Sequence, residues 1–505
     1  SRLLTVSLPG VEVGGTIEYR IRRRLTGRPF FAAMESFGGH EPVARRVVRL
    51  RAPADVPLRI RATPGVPAEA VAEPAGGFIE RTWLAEGIAA IPREDAQPPL
   101  WALAPTLFIS DPEGAARYAH AVHEALWTAA SGAEAVAAAA RDIAAANPDG
   151  AAVQAIRDAV ARRIRRAGPA LHEAPLSAIT PADVTWRDGY GSSADAAVVL
   201  AAMLRAIHEK NPEFVLAATI RPADPAMQAP FEVFQPNLFP EALVRLPRGS
   251  EWIYLNDTDQ YAALGATPRE GFAGLVTHNG AIETIRPPAD RGSETRTRFA
   301  IAVEPDGAAI LRVTREYKGP VHGQMAKTYA ELSPEERRRR HQELVAEIAQ
   351  DAAAEGELEA DFGVYPGRES FAVRIPRFAV VDGPFLYFSL PAPDAGLPRV
   401  RSDARRTPLY WDQVARQTAS TAVVLPPGFA QAVLMPPAHR WVGAGGQTET
   451  ACALSVTAGA PTLTIQRATE WRPAVFPPDA YPELLETNRQ LTHPRTRFVL
   501  LRKGD

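Results

Sequence analysis

Cysteine is almost missing from this chain: Cys452 is the one thiol in 505 residues. A single cysteine excludes an internal disulfide and any multi-thiolate zinc or iron–sulfur site. It leaves room for one thiol nucleophile, so its position decides its meaning. Net charge is nearly missing too. With 56 basic against 58 acidic side chains the formal charge is −2, which removes the simplest electrostatic case for binding nucleic acid or an anionic membrane. No stretch approaches the ~20 apolar residues that span a bilayer as a helix, and no internal repeat is visible. A starting methionine is absent as well. The chain opens at Ser1 and runs into the strand-like Leu3-Leu4-Thr5-Val6-Ser7-Leu8, which reads as a processed or truncated product whose signal peptide is already gone.

Proline, by contrast, is abundant: 47 residues, roughly twice the usual ~5%. It is spread through the chain in Pro-Pro, Leu-Pro and Arg-Pro pairs, which suits many short strands with fixed connections. Residues 1 to about 108 read as β. Thr16 to Arg22, Val56 to Ile60 (broken by Pro57) and Phe78 to Leu84 alternate apolar and polar side chains, the mark of strands with one wet face. Arg20, Arg22, Arg24, Arg45, Arg46 and Arg49 crowd the wet positions. An anionic-ligand surface is one reading; a solvated sheet face with edge protection is the plainer one, and we take it.

From Asp111 the pattern turns helical. Asp111-Pro112-Glu113 is a start signal, with Asp as N-cap and Pro in the first turn, and alanine-rich helices are expected at about 112–130, 132–146 and 150–166. In the third, Val153, Ile156, Val160 and Ile164 form a core-facing stripe. Arg162, Arg163, Arg165 and Arg166 gather in its last turns and read as a solvated helix end. His120 and His123 are spaced to share a metal, but no third ligand is evident nearby, and no metal or cofactor is expected. A helix at about 192–210 follows, with Val199, Met203 and Ile207 on one buried stripe. Strands are expected near 213–220, 241–246 and 251–255, then a type I′ hairpin at Asn279-Gly280. Helices followed by antiparallel strands describe an α+β domain. From about 294 the chain is β again, apart from one helix, at 333–354, opened by the capping box Ser333-Pro334-Glu335-Glu336. The Arg337 to Arg340 run reads as its solvated face, and Cys452 falls among the C-terminal strands, where a free cysteine is commonly a small buried hydrophobe.

The most informative stretch is Gly189-Tyr190-Gly191-Ser192-Ser193-Ala194-Asp195, a glycine turn running into an apolar helix. A nucleophile at such a start gains from the helix dipole and from free backbone N–H groups. The stretch resembles the signature of the transglutaminase-like superfamily, Gly-x-Cys-x-Asp opening an apolar helix. More closely, the chain is similar to bacterial proteins that join a β-rich domain of unknown function, a transglutaminase-like core and a C-terminal β domain. Leu8-Pro9-Gly10 through Ile17-Glu18-Tyr19, Arg81-Thr82-Trp83 and Trp252 to Thr258 fit that order. So do Tyr365-Pro366-Gly367, Arg406-Thr407-Pro408-Leu409 and Leu425-Pro426-Pro427-Gly428. The resemblance implies an α+β multidomain fold: an N-terminal antiparallel β domain (1–108), a transglutaminase-like (papain-like) α+β core (109–293), and a C-terminal β-sandwich (294–505).

Active members of the superfamily use cysteine, histidine and aspartate in that chain order. Aligned on the motif, those positions hold Ser193, Glu241 and Asn256. A serine hydroxyl is a poor nucleophile without an adjacent base, and a glutamate of pKa ~4.3 is a weak one. Other histidines do not obviously substitute. His208 lies along the same helix, ~22 Å from Ser193 at ~1.5 Å per residue; His278 falls at the hairpin tip; His172, in the loop before the motif, stays open. Ser192 and Asp195 form a capping box in their own right. Asn256, Asp257 and Asp259 are a side candidate for calcium, and Asn256-Asp257-Thr258 is formally a glycosylation sequon that overlaps the strand-end motif.

The expectation is a monomeric, non-catalytic protein that binds a peptide, glycan or partner protein through its cleft or its β domains. The cleft candidates are Trp186, Tyr190, Ser192, Ser193, Asp195, Glu241, Asn256 and Asp257. The alternative is a hydrolase or acyltransferase with Ser193 as nucleophile; a third reading has the core merely spacing two β domains. The resemblance implies a periplasmic or extracellular setting.

Overall fold

The computed structural model describes residues 12, 14–16, 31–72, 75–148, 150–209, 211–222, 225–391, 403–457 and 460–504. The strands expected at 3–8 and 17–22, with Arg20, Arg22 and Arg24, lie outside the described residues. The protein is an α+β multidomain chain with β-rich domains at both ends and an α+β core between them.

At the N-terminal end, Ala32–Ser36, Thr106–Ser110 and Arg59–Ala62 form one antiparallel sheet, and Val43–Pro53, Phe78–Ile88 and Glu69–Val71 another. The two share a core of Phe37, Trp83, Leu107 and Ile109. The alternation seen in the sequence is the reason: Val48 and Leu50 turn toward this core while Arg49 and Arg51 stay exposed. Arg45, on the solvated face with Arg49, pairs with Glu86 at 3.4 Å, whereas Arg46 points to the opposite, half-buried face and pairs there with Glu35 at 2.7 Å. The expected strand at Val56 starts only at Arg59, because Pro57 has no N–H to give to a ladder.

The core carries helices Gly114–Ala130, Glu134–Ala146, Ala152–Arg163, Ala182–Asp188 and Ser193–Ala206. They lie with an antiparallel sheet in the order Glu251–Leu255, Glu241–Arg248, Glu213–Ala217, Ala273–Val276 and Ile282–Thr284. Val153, Ile156, Val160 and Ile164 are all buried, as their spacing predicts. The central helix Ser193–Ala206 departs from a one-stripe reading: every residue from Ala194 to Leu204 is buried. A helix that is apolar all round is covered on all sides, here by helices and the sheet.

Three local expectations are corrected. The first helix begins at Gly114, and Asp111 acts a turn earlier, accepting the Glu113 N–H at 2.9 Å and pairing with Arg117. The hairpin is not type I′: its loop spans 277–280, with Gly280 at φ +73° and Asn279 outside the left-handed region. A type I′ turn needs both central residues there; Thr277 instead anchors the longer loop by bonding the Phe214 carbonyl at 3.0 Å. The C-terminal region holds two consecutive helices, Pro320–Glu331 and Pro334–Ile348, and a third at Tyr481–Thr492. The helix expected through 354 stops at Ile348, and Ala353–Ala354 is already a strand edge.

The C-terminal domain is a sandwich. Its large sheet runs Ala353–Ala354, Gly367–Ile375, Ala309–Lys318, Glu294–Val303, Ala415–Val424, Ala460–Trp471, Gly446–Thr457, His439–Gly443. The smaller runs Ala379–Asp382, Phe385–Ser389, Phe498–Arg502, Gln431–Leu434. Phe299, Leu311, Val373 and Leu463 from the first meet Leu386, Phe388, Val499 and Leu501 from the second. Cys452 packs half-buried on the edge of this core, where burial pushes its thiol pKa up. It is far in the chain from the glycine turn and acts as a hydrophobe. Polar clamps join the domains. Glu94 accepts the Arg406 and Thr407 N–H groups and the Thr407 hydroxyl, and Arg221 pairs with Asp412 at 2.6 Å.

Candidate functional site at the start of the central helix

The glycine turn is built for close approach. Gly189 at φ +74° ends the helix Ala182–Asp188, and a Cβ on Gly191 would lie 2.8 Å from the Asp195 Cβ. Ser192 then caps the central helix, accepting the Asp195 N–H at 3.2 Å, while Asp195 accepts the Ser192 N–H and hydroxyl, each at 2.8 Å. The other Asp195 oxygen takes the Thr180 N–H at 2.7 Å. Asp195 is thus a buried pin between the helix start and the preceding loop. A reciprocal cap of this kind contributes ~1 kcal/mol.

Ser193, Glu241 and Asn256 are brought together, but not as a relay. The Ser193 Oγ accepts the Ala242 N–H at 3.3 Å. The Glu241 carboxylate turns away onto Arg269. Asn256 is 5% exposed and holds a left-handed backbone at φ +83°. Its Nδ2 donates to the Ser193 carbonyl at 2.9 Å and to the Ala242 carbonyl at 2.7 Å, and its Oδ1 accepts from Arg166 at 2.7 Å. The amide therefore stitches the helix start to the neighbouring strand.

Arg162, Arg163, Arg165 and Arg166 are exposed, as a solvated end requires, but they do not share one helix end, and Arg166 sends its guanidinium to Asn256. The helix stops at Arg163, and Arg165–Arg166 pairs in parallel with Tyr190–Gly191. That pairing turns the guanidinium inward onto Asn256, where burial lowers its pKa against the pull of Glu241 and Asp257. Nothing in the sequence distinguishes Arg166 from its three arginine neighbours, because the strand pairing that selects it joins segments 25 residues apart. Arg269 and Arg157 were missed for the same reason. Arg157 is 2% exposed and reaches the Thr258 hydroxyl at 2.9 Å and the Ala262 carbonyl at 2.5 Å.

Two cavities flank the turn. One, of about 310 Å³, lies between the 167–180 loop and Tyr190, Gly191, Ser192 and Asp195. The other, of about 280 Å³, is lined by Arg157, Arg166, Arg269, Glu241, Asn256 and Asp257. Ser193 lines neither. Tyr190 is 60% exposed at the mouth of the first, and Trp186 packs against the core with the Arg163 guanidinium 4.5 Å above its ring. Asp257 takes the Thr267 hydroxyl on one oxygen, and its Oδ1 has no hydrogen bond among the described residues. Burial pushes its pKa up to about 6, against the opposing pull of Thr267, Arg269 and Arg157.

The histidines lie elsewhere. His120 pairs with Glu124 at 3.3 Å, His123 meets the Thr277 hydroxyl at 3.1 Å, and His278 faces Glu213 at 3.5 Å. His172 is in the short turn Leu171–Glu173, which lies against Pro240 through the Leu171 N–H. Asp259 pairs with Lys327 at 3.5 Å, apart from the Asp257–Thr267 contact. Among the described residues no three metal-ligating side chains gather, and no helix is long and apolar enough to cross a membrane.

Comparison with known proteins bears on the frame around this site. A family profile described as a domain of unknown function with a solved structure (DUF3857) matches residues 1–92. No curated protein matches. A crystal structure from Parabacteroides distasonis, described as a "putative protease", is 16% identical over 95% of this chain and 76% of its own, with a TM-score of 0.57. The chain shares that fold. Both findings are compatible with a transglutaminase-like multidomain protein. At this identity the likeness extends to the fold and stops there, so the chemistry has to be read from the side chains above.

Proposed function

We propose that this is a non-catalytic transglutaminase-like protein that works by binding, with its core keeping the shape of an acyl-transfer enzyme and not its machinery. One observation carries the reading: Asn256 spends both Nδ2 donors on the Ser193 and Ala242 carbonyls, while Glu241 is held by Arg269. A relay needs a base within hydrogen-bond reach of the nucleophile and a group that orients the base. Here the Ser193 hydroxyl receives a backbone N–H, and the two flanking side chains are committed to arginines and carbonyls. The neighbour's description favours a rival, a hydrolase or acyltransferase with Ser193 as nucleophile. Assay of the intact protein and Ser193→Ala against amide, ester and transpeptidation substrates separates them. Turnover at the background rate in both supports the binding reading. A wild-type activity that disappears in Ser193→Ala overturns it.

A further inference from the structure

The roomiest cavity described, about 610 Å³, lies away from the glycine turn, in the cleft between the core and the C-terminal domain. One wall is the core loop through Gln260, Tyr261 and Leu264 with Arg248 and Arg291; the other is the helix Pro320–Glu331 and the segment 360–365. The walls are fixed to one another. Gly323 brings its helix so close to the loop that a Cβ would lie 2.9 Å from the Ala262 Cα. Lys327 pairs with Asp259 across the cleft, and the buried Arg157 holds the loop from beneath.

The lining has a consistent chemistry. Tyr261 offers a ring face, Tyr329, Phe362 and Tyr365 form an aromatic wall packed on one another and on Arg291 and Arg337, and Arg248, Arg291 and Arg337 supply cations. Among the described residues no aspartate or glutamate lines the cavity. Carboxylates do touch lining residues from outside it: Asp290 pairs with Arg291, and Glu369 accepts the Tyr329 hydroxyl at 2.5 Å. Those bonds set the rings in place. The Tyr365 hydroxyl donates to the Asp290 carbonyl at 2.8 Å, Tyr329 stacks on Phe362 at 5.2 Å, and the Arg291 guanidinium lies 4.2 Å over Tyr365. His322 is 5% exposed and lines the same cavity; its ring faces the Val364 backbone, and among the described residues neither ring nitrogen makes a hydrogen bond of full geometry. A buried imidazole nitrogen short of a good partner is unfavourable, and a ligand hydroxyl that enters the cavity can meet that need.

We infer that this interdomain cleft binds an acidic saccharide, its carboxylate held by Arg248 and Arg291, a ring face on Tyr261, and a hydroxyl at His322. The volume falls within the ~300–1,000 Å³ of small-molecule sites. Guanidinium groups match carboxylates in geometry and charge, and aromatic rings supply flat apolar faces with little conformational freedom to lose. The proposal supplies a ligand for the binding reading above, and its test is independent of Ser193.

The probe is digalacturonic acid, titrated calorimetrically into the full chain, with neutral digalactose and triglutamate as comparators. Digalacturonic acid is expected to bind in the intact protein and equally in Ser193→Ala. Arg248→Ala, at an exposed position that leaves the fold alone, is expected to weaken it about tenfold, the effect of ~1.4 kcal/mol. Tyr261→Ala is expected to weaken both sugars. Absence of digalacturonic acid binding, equal affinity for digalactose, tighter binding of triglutamate, or full affinity in Arg248→Ala with matching melting curves would each overturn the proposal. The activity assays on Ser193→Ala are untouched by any of these results, so the two readings fail separately.

Discussion

Replacing Asn256 by aspartate restores the residue that the resembling enzymes carry, and the geometry expects it to do harm. The Nδ2 group donates to two main-chain carbonyls at 2.9 and 2.7 Å in a site 5% exposed. An ionised carboxylate sets an oxygen against both carbonyls. The Ala242 carbonyl left unpaired costs ~1–3 kcal/mol. Repulsion of the carboxylate by it and by the Ser193 carbonyl, which keeps its bond within the helix, adds a similar ~2 kcal/mol, and a charge-assisted bond to Arg166 returns ~1–2 kcal/mol. The net expectation for Asn256→Asp is a loss of about 3 kcal/mol. Asn256→Ala escapes the repulsion but leaves the Ala242 carbonyl unpaired (~2 kcal/mol), loses the Arg166 bond (~1 kcal/mol) and places a residue with no local hydrogen bond at φ +83° (~1 kcal/mol), about 4 kcal/mol in all. The assay is urea unfolding of the full chain followed by tryptophan fluorescence, with midpoint shifts of the core transition converted through the m-value. The aspartate variant also has a pH signature. Facing carbonyls raises the introduced carboxyl's pKa, so its deficit is complete above that value and shrinks as the pH falls through it, because the protonated form regains one donor. A variant as stable as the wild type at pH 7.5 would refute the reasoning: it would mean that the amide's oxygen, not its nitrogen, faces the Ser193 and Ala242 carbonyls' side of the site.

Two further outcomes follow from titratable groups. Asp257, held at about pKa 6 by burial, is a carboxyl whose folded value exceeds its unfolded ~3.9. Its ionisation penalty is absent below about pH 4, grows between the two values and is complete above the folded one. About two units correspond to about 2–3 kcal/mol, so Asp257→Asn should exceed the wild type in stability at pH 8 and match it near pH 4 in parallel urea titrations. No gain at pH 8 would count against burial as the cause. Glu94 is the opposite case: burial opposes its ionisation, but the Thr407 hydroxyl, the Arg406 and Thr407 N–H groups and the Arg405 charge together carry its pKa below the ordinary value. Its stabilisation is present above the unfolded ~4.3 and lost as the pH falls through the depressed folded value. Glu94→Gln should therefore flatten the acid limb of the melting temperature, and an unchanged acid limb would remove Glu94 from the domain clamp.

What the sequence by itself determined is what short-range physics encodes. The buried stripe Val153, Ile156, Val160, Ile164 follows from a 3.6-residue period, and the reciprocal cap of Ser192 and Asp195 from three residues of spacing. The three altered positions Ser193, Glu241 and Asn256 were also legible, because a motif aligns them without reference to their contacts. Tertiary structure alone decided how those positions are used. Whether Asn256 faces carbonyls or a histidine depends on the approach of Ala242 from a neighbouring strand, and whether Arg166 is solvent or site depends on its pairing with Tyr190–Gly191. The interdomain cleft lies further still from any local pattern. Tyr261, Arg291, His322 and Tyr365 share no spacing, and they meet only because Gly323 lets a C-terminal helix close on a core loop. Local periodicity fixes which face of an element is buried; it carries no information about which distant side chain will be waiting there.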